Sequence, residues 1–167
     1  MIYRNLYSLC LFIILTNGCN IYSFSGASIP EKANTISIHY IENQADLIQP
    51  TLSNNLTESL IQKCQTETSL IMQKTNGDLQ FFGKIIEYKV QPIAIQNNET
   101  AAQNRLTISV EINYINTINN SDNFKQNFIH YSDFNSDENF LEMEETLNNI
   151  IIENLVEDIF NKAFMNW

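Results

Sequence analysis

Glycine is scarce in this chain, with four residues at positions 18, 26, 77 and 83. That excludes a glycine-rich loop cradling phosphate, which needs several glycines within a few positions. Cysteine is also scarce. Cys10 lies inside an apolar leader and Cys19 closes it, so Cys64 stands alone and no disulfide framework forms. Cys64 reads as a small buried apolar residue; a reactive thiol wants a basic neighbourhood, and only Lys63 is near it in sequence. Nine Lys and Arg face 19 Asp and Glu, a net charge of −10. Binding to nucleic acid, or docking by charge on anionic lipid, would need clustered cations that this balance does not supply.

The signals for chemistry are equally thin. HExxH, paired CxxC and GxSxG patterns are all missing. The two histidines, His39 and His130, fall on strand-like segments, with Asp133 near His130 but no nucleophile in a tight turn beside either. A hydrolase built on them is the weakest reading. Glu142, Glu144 and Glu145 read as a solvated helix start rather than a metal cluster, and Asp133, Asp137 and Glu138 lack EF-hand spacing. The expectation is a protein that is not an enzyme, with no metal and no cofactor.

What is present begins with residues 1–19, MIYRNLYSLCLFIILTNGC. Arg4 supplies the positive charge, Leu6 to Leu15 the apolar run, and Thr16-Asn17-Gly18 the small or turn-forming residues before Cys19. This is a secretory leader, too short to span a bilayer that needs ~20 apolar residues. A cysteine at the cleavage point marks its lipoprotein form, although Thr16 holds the place where that pattern favours Leu. The expected boundaries are a signal peptide at 1–18, a lipidated tether at 19–33 starting at Cys19, and one domain at 34–167. Acyl chains at ~0.8 kcal/mol per buried CH₂ would hold the mature chain on a membrane.

The body alternates and then coils. Residues 35–42, TISIHYIE, read as a strand with Ile36, Ile38 and Tyr40 on one face. Residues 50–66 read as a helix striped by Leu52, Leu56, Leu60 and Cys64. A short strand at 69–74 leads to Asn76-Gly77, a hairpin signal, and then to a long arm at 78–95. The phase of that arm changes near Gly83, which predicts a β-bulge, and Pro92 assigns its end to an edge. Leu106, Ile108, Val110, Ile112 and Tyr114 give the cleanest alternation, and a further strand follows at 123–133. Ser136 is the expected cap of a last helix with two apolar lines. One runs Leu147, Ile151, Leu155, Ile159; the other runs Ile152, Val156, Phe160, Phe164 and ends at Trp167. So wide a face either wedges between the sheet and the first helix or offers one edge to another protein. The expected fold is α+β: a two-layer sandwich, its antiparallel or mixed sheet of four to five strands covered on one face by two helices.

Several blocks in order carry a resemblance: GCNIYSFSGASIP, ISIHYIENQADLIQPTLS, NGDLQFFGKI, PIAIQNNETAAQNRLTISVEINY and LVEDIFNKAF. Together they resemble a short, acidic branch of the LptE-type lipopolysaccharide-assembly lipoproteins, across nearly all of the mature chain. The resemblance implies an outer-membrane lipoprotein on the periplasmic side. It would sit in an LptD-type β-barrel translocon as plug and assembly partner, with lipopolysaccharide as cargo. Gln96, Asn97, Asn98, Glu99, Phe164 and Trp167 are the candidate partner-binding residues. The lipopolysaccharide-binding residues are not assignable, since Lys74, Lys84, Lys89, Arg105 and Lys125 align with no family ligand position. The alternative is a generic periplasmic lipoprotein that binds a small ligand or pilots another outer-membrane complex.

Overall fold

A computed structural model describes residues 28–93 and 103–165. Six strands and two long helices follow the chain as β1 (Thr35–Ile38), β2 (Glu42–Asn43), α1 (Leu52–Glu67), β3 (Ile71–Gln73), β4 (Leu79–Ile93), β5 (Gln103–Asn116), β6 (Phe124–Asn135) and α2 (Phe140–Phe164). The sheet order is β3-β1-β4-β5-β6, with β2 beside β4 further along the same edge. β1 runs parallel to β3 and β4, whereas β4, β5 and β6 form an antiparallel meander. The sheet is therefore mixed, and both helices cover one of its faces, giving the expected α+β two-layer sandwich with six strands instead of four to five.

The helix stripes fold as their periodicity predicts. Leu52, Leu56, Leu60 and Cys64 are buried, and so are both apolar lines of α2 from Leu147 to Phe164. The wide face of α2 is wedged: it packs on β5 and β6 below and on α1 beside it. On β5, every second residue from Leu106 to Tyr114 points into this layer and is buried.

Three local features differ from the sequence expectation, each for a physical reason, and a fourth, the bulge of β4, comes close to where the sequence places it. The first strand breaks after Ile38. His39 N–H still donates to Phe81 O (2.9 Å), but Ile41 N–H turns to Thr57 Oγ1 on α1 (3.1 Å). Ile41 is thereby buried and Tyr40 is left 56% exposed. Asn76-Gly77 does not close a hairpin, because β1 lies between β3 and β4. It is a tight crossover, in which Asn76 takes a left-handed φ of 58° and Gly77 presses on the β1 backbone. The bulge of β4 falls at the register shift between Ile85 and Glu87, just beyond Gly83. It moves the inward phase from Leu79, Phe81 and Ile85 to Tyr88. Lastly, α2 is capped by Asn139, whose side chain accepts from Leu141 N–H at 3.2 Å, and not by Ser136. A turn intervenes in which Glu138 N–H donates to Asn135 O and Glu138 Oε2 accepts from Asn135 N–H.

Candidate functional site

Cys19, Gln96, Asn97, Asn98, Glu99 and Trp167 lie outside the described residues. Phe164 is described, and it is core. At 1% exposure its ring packs among Phe81, Tyr114 and Phe160, with centroids 6.2, 6.3 and 4.9 Å away. In this fold it is not available to a partner. The last apolar position of a stripe looks like a surface anchor in sequence, but the aromatic cluster at the sheet end takes it in.

The face of β4, β5 and β6 turned away from both helices is open. The ladder registers fix what stands there: Arg105 opposite Asp133, Lys84 opposite Glu111, Lys89 opposite Thr107. Four of the nine cations in the chain, Lys84, Lys89, Arg105 and Lys125, share this face. Arg105 makes a two-pronged contact with Asp133 (2.7 and 2.8 Å) and lies 3.6 Å over the Tyr131 ring. The Asp133 hydrogen bond raises the Arg105 pKa further above its usual range. Glu111 receives Lys125 at 3.1 Å and Lys84 at 3.5 Å. The Lys125 contact leads in holding its carboxyl below the ordinary carboxylate range. Among the described residues Lys89 has no ion-pair partner. Ile129 and Tyr131 stand out of this grid, more than half exposed.

The helix layer, by contrast, is acidic. α2 carries Glu142, Glu144, Glu145, Glu153, Glu157 and Asp158 against Lys162 alone. Lys63 of α1 bridges to Glu157 at 2.6 Å and to Glu67 at 3.7 Å. The net acidity of the chain is thus concentrated on its helices, while the open sheet face is close to neutral.

Among the described residues no catalytic constellation comes together on either side. His39 stacks on Phe82 at 4.1 Å with its Nε2 buried and unpartnered. His130 pairs with Asp158 of α2 at 2.7 Å, not with its sequence neighbour Asp133. Asp133 is turned to the other face and held by Arg105. Cys64 is buried on α1, and that burial pushes its thiol up to about 12. Among the described residues no three His, Cys, Asp or Glu side chains gather to hold a metal ion. Nor is any described helix long and apolar enough to cross a membrane.

Residues 33–163 match the family model of LptE, described as Lipopolysaccharide-assembly. No curated protein sequence matches the chain. Among solved structures, the fold is similar to a hypothetical protein from Chlamydia trachomatis at 8% identity and TM-score 0.54, covering 80% of this chain and 99% of that one. It is similar to the uncharacterized lipoprotein B from Nitrosomonas europaea at 12% identity and TM-score 0.50, covering 80% and 82%. It is also similar to a protein from Xanthomonas campestris at 7% identity and TM-score 0.50, covering 80% and 87%. At such identities the likeness concerns the fold alone.

Proposed function

Because this chain belongs to the LptE family of lipopolysaccharide-assembly proteins, we propose that it is an outer-membrane lipoprotein that plugs an LptD-type β-barrel translocon and helps it assemble. In this reading Cys19 carries the acyl anchor on the periplasmic face, and lipopolysaccharide passes through the complex to the cell surface. The observation that carries the proposal is the family match over residues 33–163, which takes in every strand and all but the last residue of α2.

Physical features support it. β4 has 15 residues, so at ~3.3 Å per residue the sheet runs up to ~50 Å. That exceeds the ~40–45 Å of a bilayer with its headgroups, so one sheet reaches along the full height of a barrel lumen. The interiors of such barrels are polar, and the open face of β4, β5 and β6 is a grid of paired charges, amides and hydroxyls. Three of its four cations already have a carboxylate partner within the chain, two of them sharing Glu111, which suits a protein wall better than a phosphate-rich ligand. Residues 96–99 follow the far end of β4, and we assign them, with Trp167, to the rim that touches the barrel.

Depletion tests this role. With less of the protein, the amount of correctly assembled barrel should fall, lipopolysaccharide should accumulate short of the surface, and cells should become sensitive to large apolar antibiotics. Normal barrel levels and normal surface lipopolysaccharide in depleted cells would overturn the proposal.

A further inference from the structure

The two edges of the sheet are built differently. One is made of short strands, the 3 residues of β3 and the 2 of β2. The other is β6, 12 residues from Phe124 to Asn135. β6 pairs with β5 in an unbroken register, and no described strand lies on its far side. At ~3.3 Å per residue it offers ~40 Å of edge, along which backbone donors and acceptors face outwards. Such edges are ordinarily blunted by brevity, a bulge or proline. The sequence FKQNFIHYSDFN has no proline and no glycine, and its ladder has no bulge. The remaining device is charge, and on β6 the charge is self-complementary.

Lys125, Asn127, Ile129, Tyr131 and Asp133 alternate onto the open face. Lys125 and Asp133 stand equally far from Ile129, one on each side. In an antiparallel pairing of β6 with its own copy about a two-fold axis at Ile129, each Lys125 faces the other Asp133. Asn127 then faces Tyr131, Ile129 faces Ile129, and every residue from 124 to 134 has a partner. Moving the axis by one residue sets Lys125 against Asn135 or Tyr131 and loses both ion pairs. The contacts that these two side chains already make leave room. Lys125 gives one of its three ammonium donors to Glu111 at 3.1 Å, and the Asp133 carboxylate, held by Arg105, still has free lone pairs. Across the seam the charges alternate in the order Glu111, Lys125, Asp133, Arg105. Opposite charges placed directly across an antiparallel pair are stabilising. Ile129, 58% exposed in the single chain, is covered by its twin.

We propose that β6 is a docking edge for a second copy of this chain, paired antiparallel about Ile129 so that two sheets become one with both helix layers on the same side. The pairing needs neither acylation of Cys19 nor a barrel, so it stands or falls apart from the function proposed above.

The test uses the full-length protein purified in detergent. Directly opposed residues of an antiparallel ladder have Cα atoms about 4.5 or 5.5 Å apart, within the span of a disulfide. Mild oxidation of Ile129→Cys should therefore join two chains. Ile71→Cys, 65% exposed on the other edge, should stay single. Register is read by mixing Lys125→Cys with Asp133→Cys: the two should join each other at least tenfold faster than either joins itself. Detergent-corrected light scattering of the natural chain should give twice the mass of one chain. A natural chain of single mass at every concentration overturns the proposal. So does an Ile129→Cys chain that stays single, equal joining through Ile71→Cys, or a mixture without preference.

Discussion

Gly77 lies directly against Ser37: a β-carbon on residue 77 would stand 2.6 Å from the Ser37 amide nitrogen and 2.7 Å from the Ile36 carbonyl carbon. Gly77 N–H also donates to Ser37 Oγ at 3.3 Å. The crossover from β3 to β4 thus runs in contact with β1, and backbone atoms cannot swing aside as a side chain would. Gly77→Ala should cost ~1–3 kcal/mol through forced backbone displacement. Asn76→Gly, at the left-handed position next to it, should change stability by less than ~1 kcal/mol. Denaturant midpoints of the two variants check this; an unchanged midpoint in Gly77→Ala would mean that the crossover is looser than described.

Leu155 and Ile150 sit on one helix with opposite fates, 0% and 44% exposed. Leu155→Ala should lose ~2–5 kcal/mol, because α1 and the sheet close on it from both sides and leave a cavity. Ile150→Ala should stay within ~0.5 kcal/mol. Similar losses at both sites, read by urea unfolding, would contradict the wedged position of α2.

Asp78 ties the start of β4 to the start of β1. Its Oδ2 accepts from Asn34 N–H (3.0 Å), Thr35 N–H (3.0 Å) and Thr35 Oγ1 (2.8 Å). These bonds, the Asn34 amide foremost, lower its pKa from the ordinary 3.8. A carboxyl depressed on folding stabilises the folded state above its unfolded value and ceases to do so as pH falls through the folded one. Asp78→Asn should therefore be less stable than the natural chain at pH 7, and the gap should close on acidification below about pH 4. A gap independent of pH would remove the charge from the account.

Cys19→Ser should block incorporation of a fatty-acid analogue and leave an unprocessed precursor. Ordinary labelling of that variant would show that the anchor lies elsewhere. Cys64 is no substitute, since a buried thiol raised to about 12 should resist alkylation until the chain unfolds.

Sequence pattern revealed the parts of the fold in which local period and burial agree. Leu106 to Tyr114 alternate because one face of β5 is covered, and Leu147 to Ile159 recur because one stripe of α2 is covered. Long-range contacts decided the rest. Tyr40 and Ile41 exchange places because Thr57, sixteen residues on, captures the Ile41 amide. Asn76-Gly77 has the same letters in a hairpin as in a crossover, and only the insertion of β1 distinguishes the two. Phe164 looked like a surface anchor because the aromatic cluster that buries it comes from β4, β5 and its own helix. The charge asymmetry between sheet and helices could not be read at all before the strand registers were known, since Arg105 and Asp133 are 28 residues apart.

The most direct measurement is recovery of the partner. The tagged, full-length protein is extracted from its own membranes in gentle detergent, and its companions are identified by mass spectrometry. The account predicts a large outer-membrane β-barrel of the LptD type in near-equal amount, lost when charges are reversed at Gln96 to Glu99 in a variant whose denaturant midpoint is unchanged. Acylated, folded protein recovered with no such barrel would contradict it.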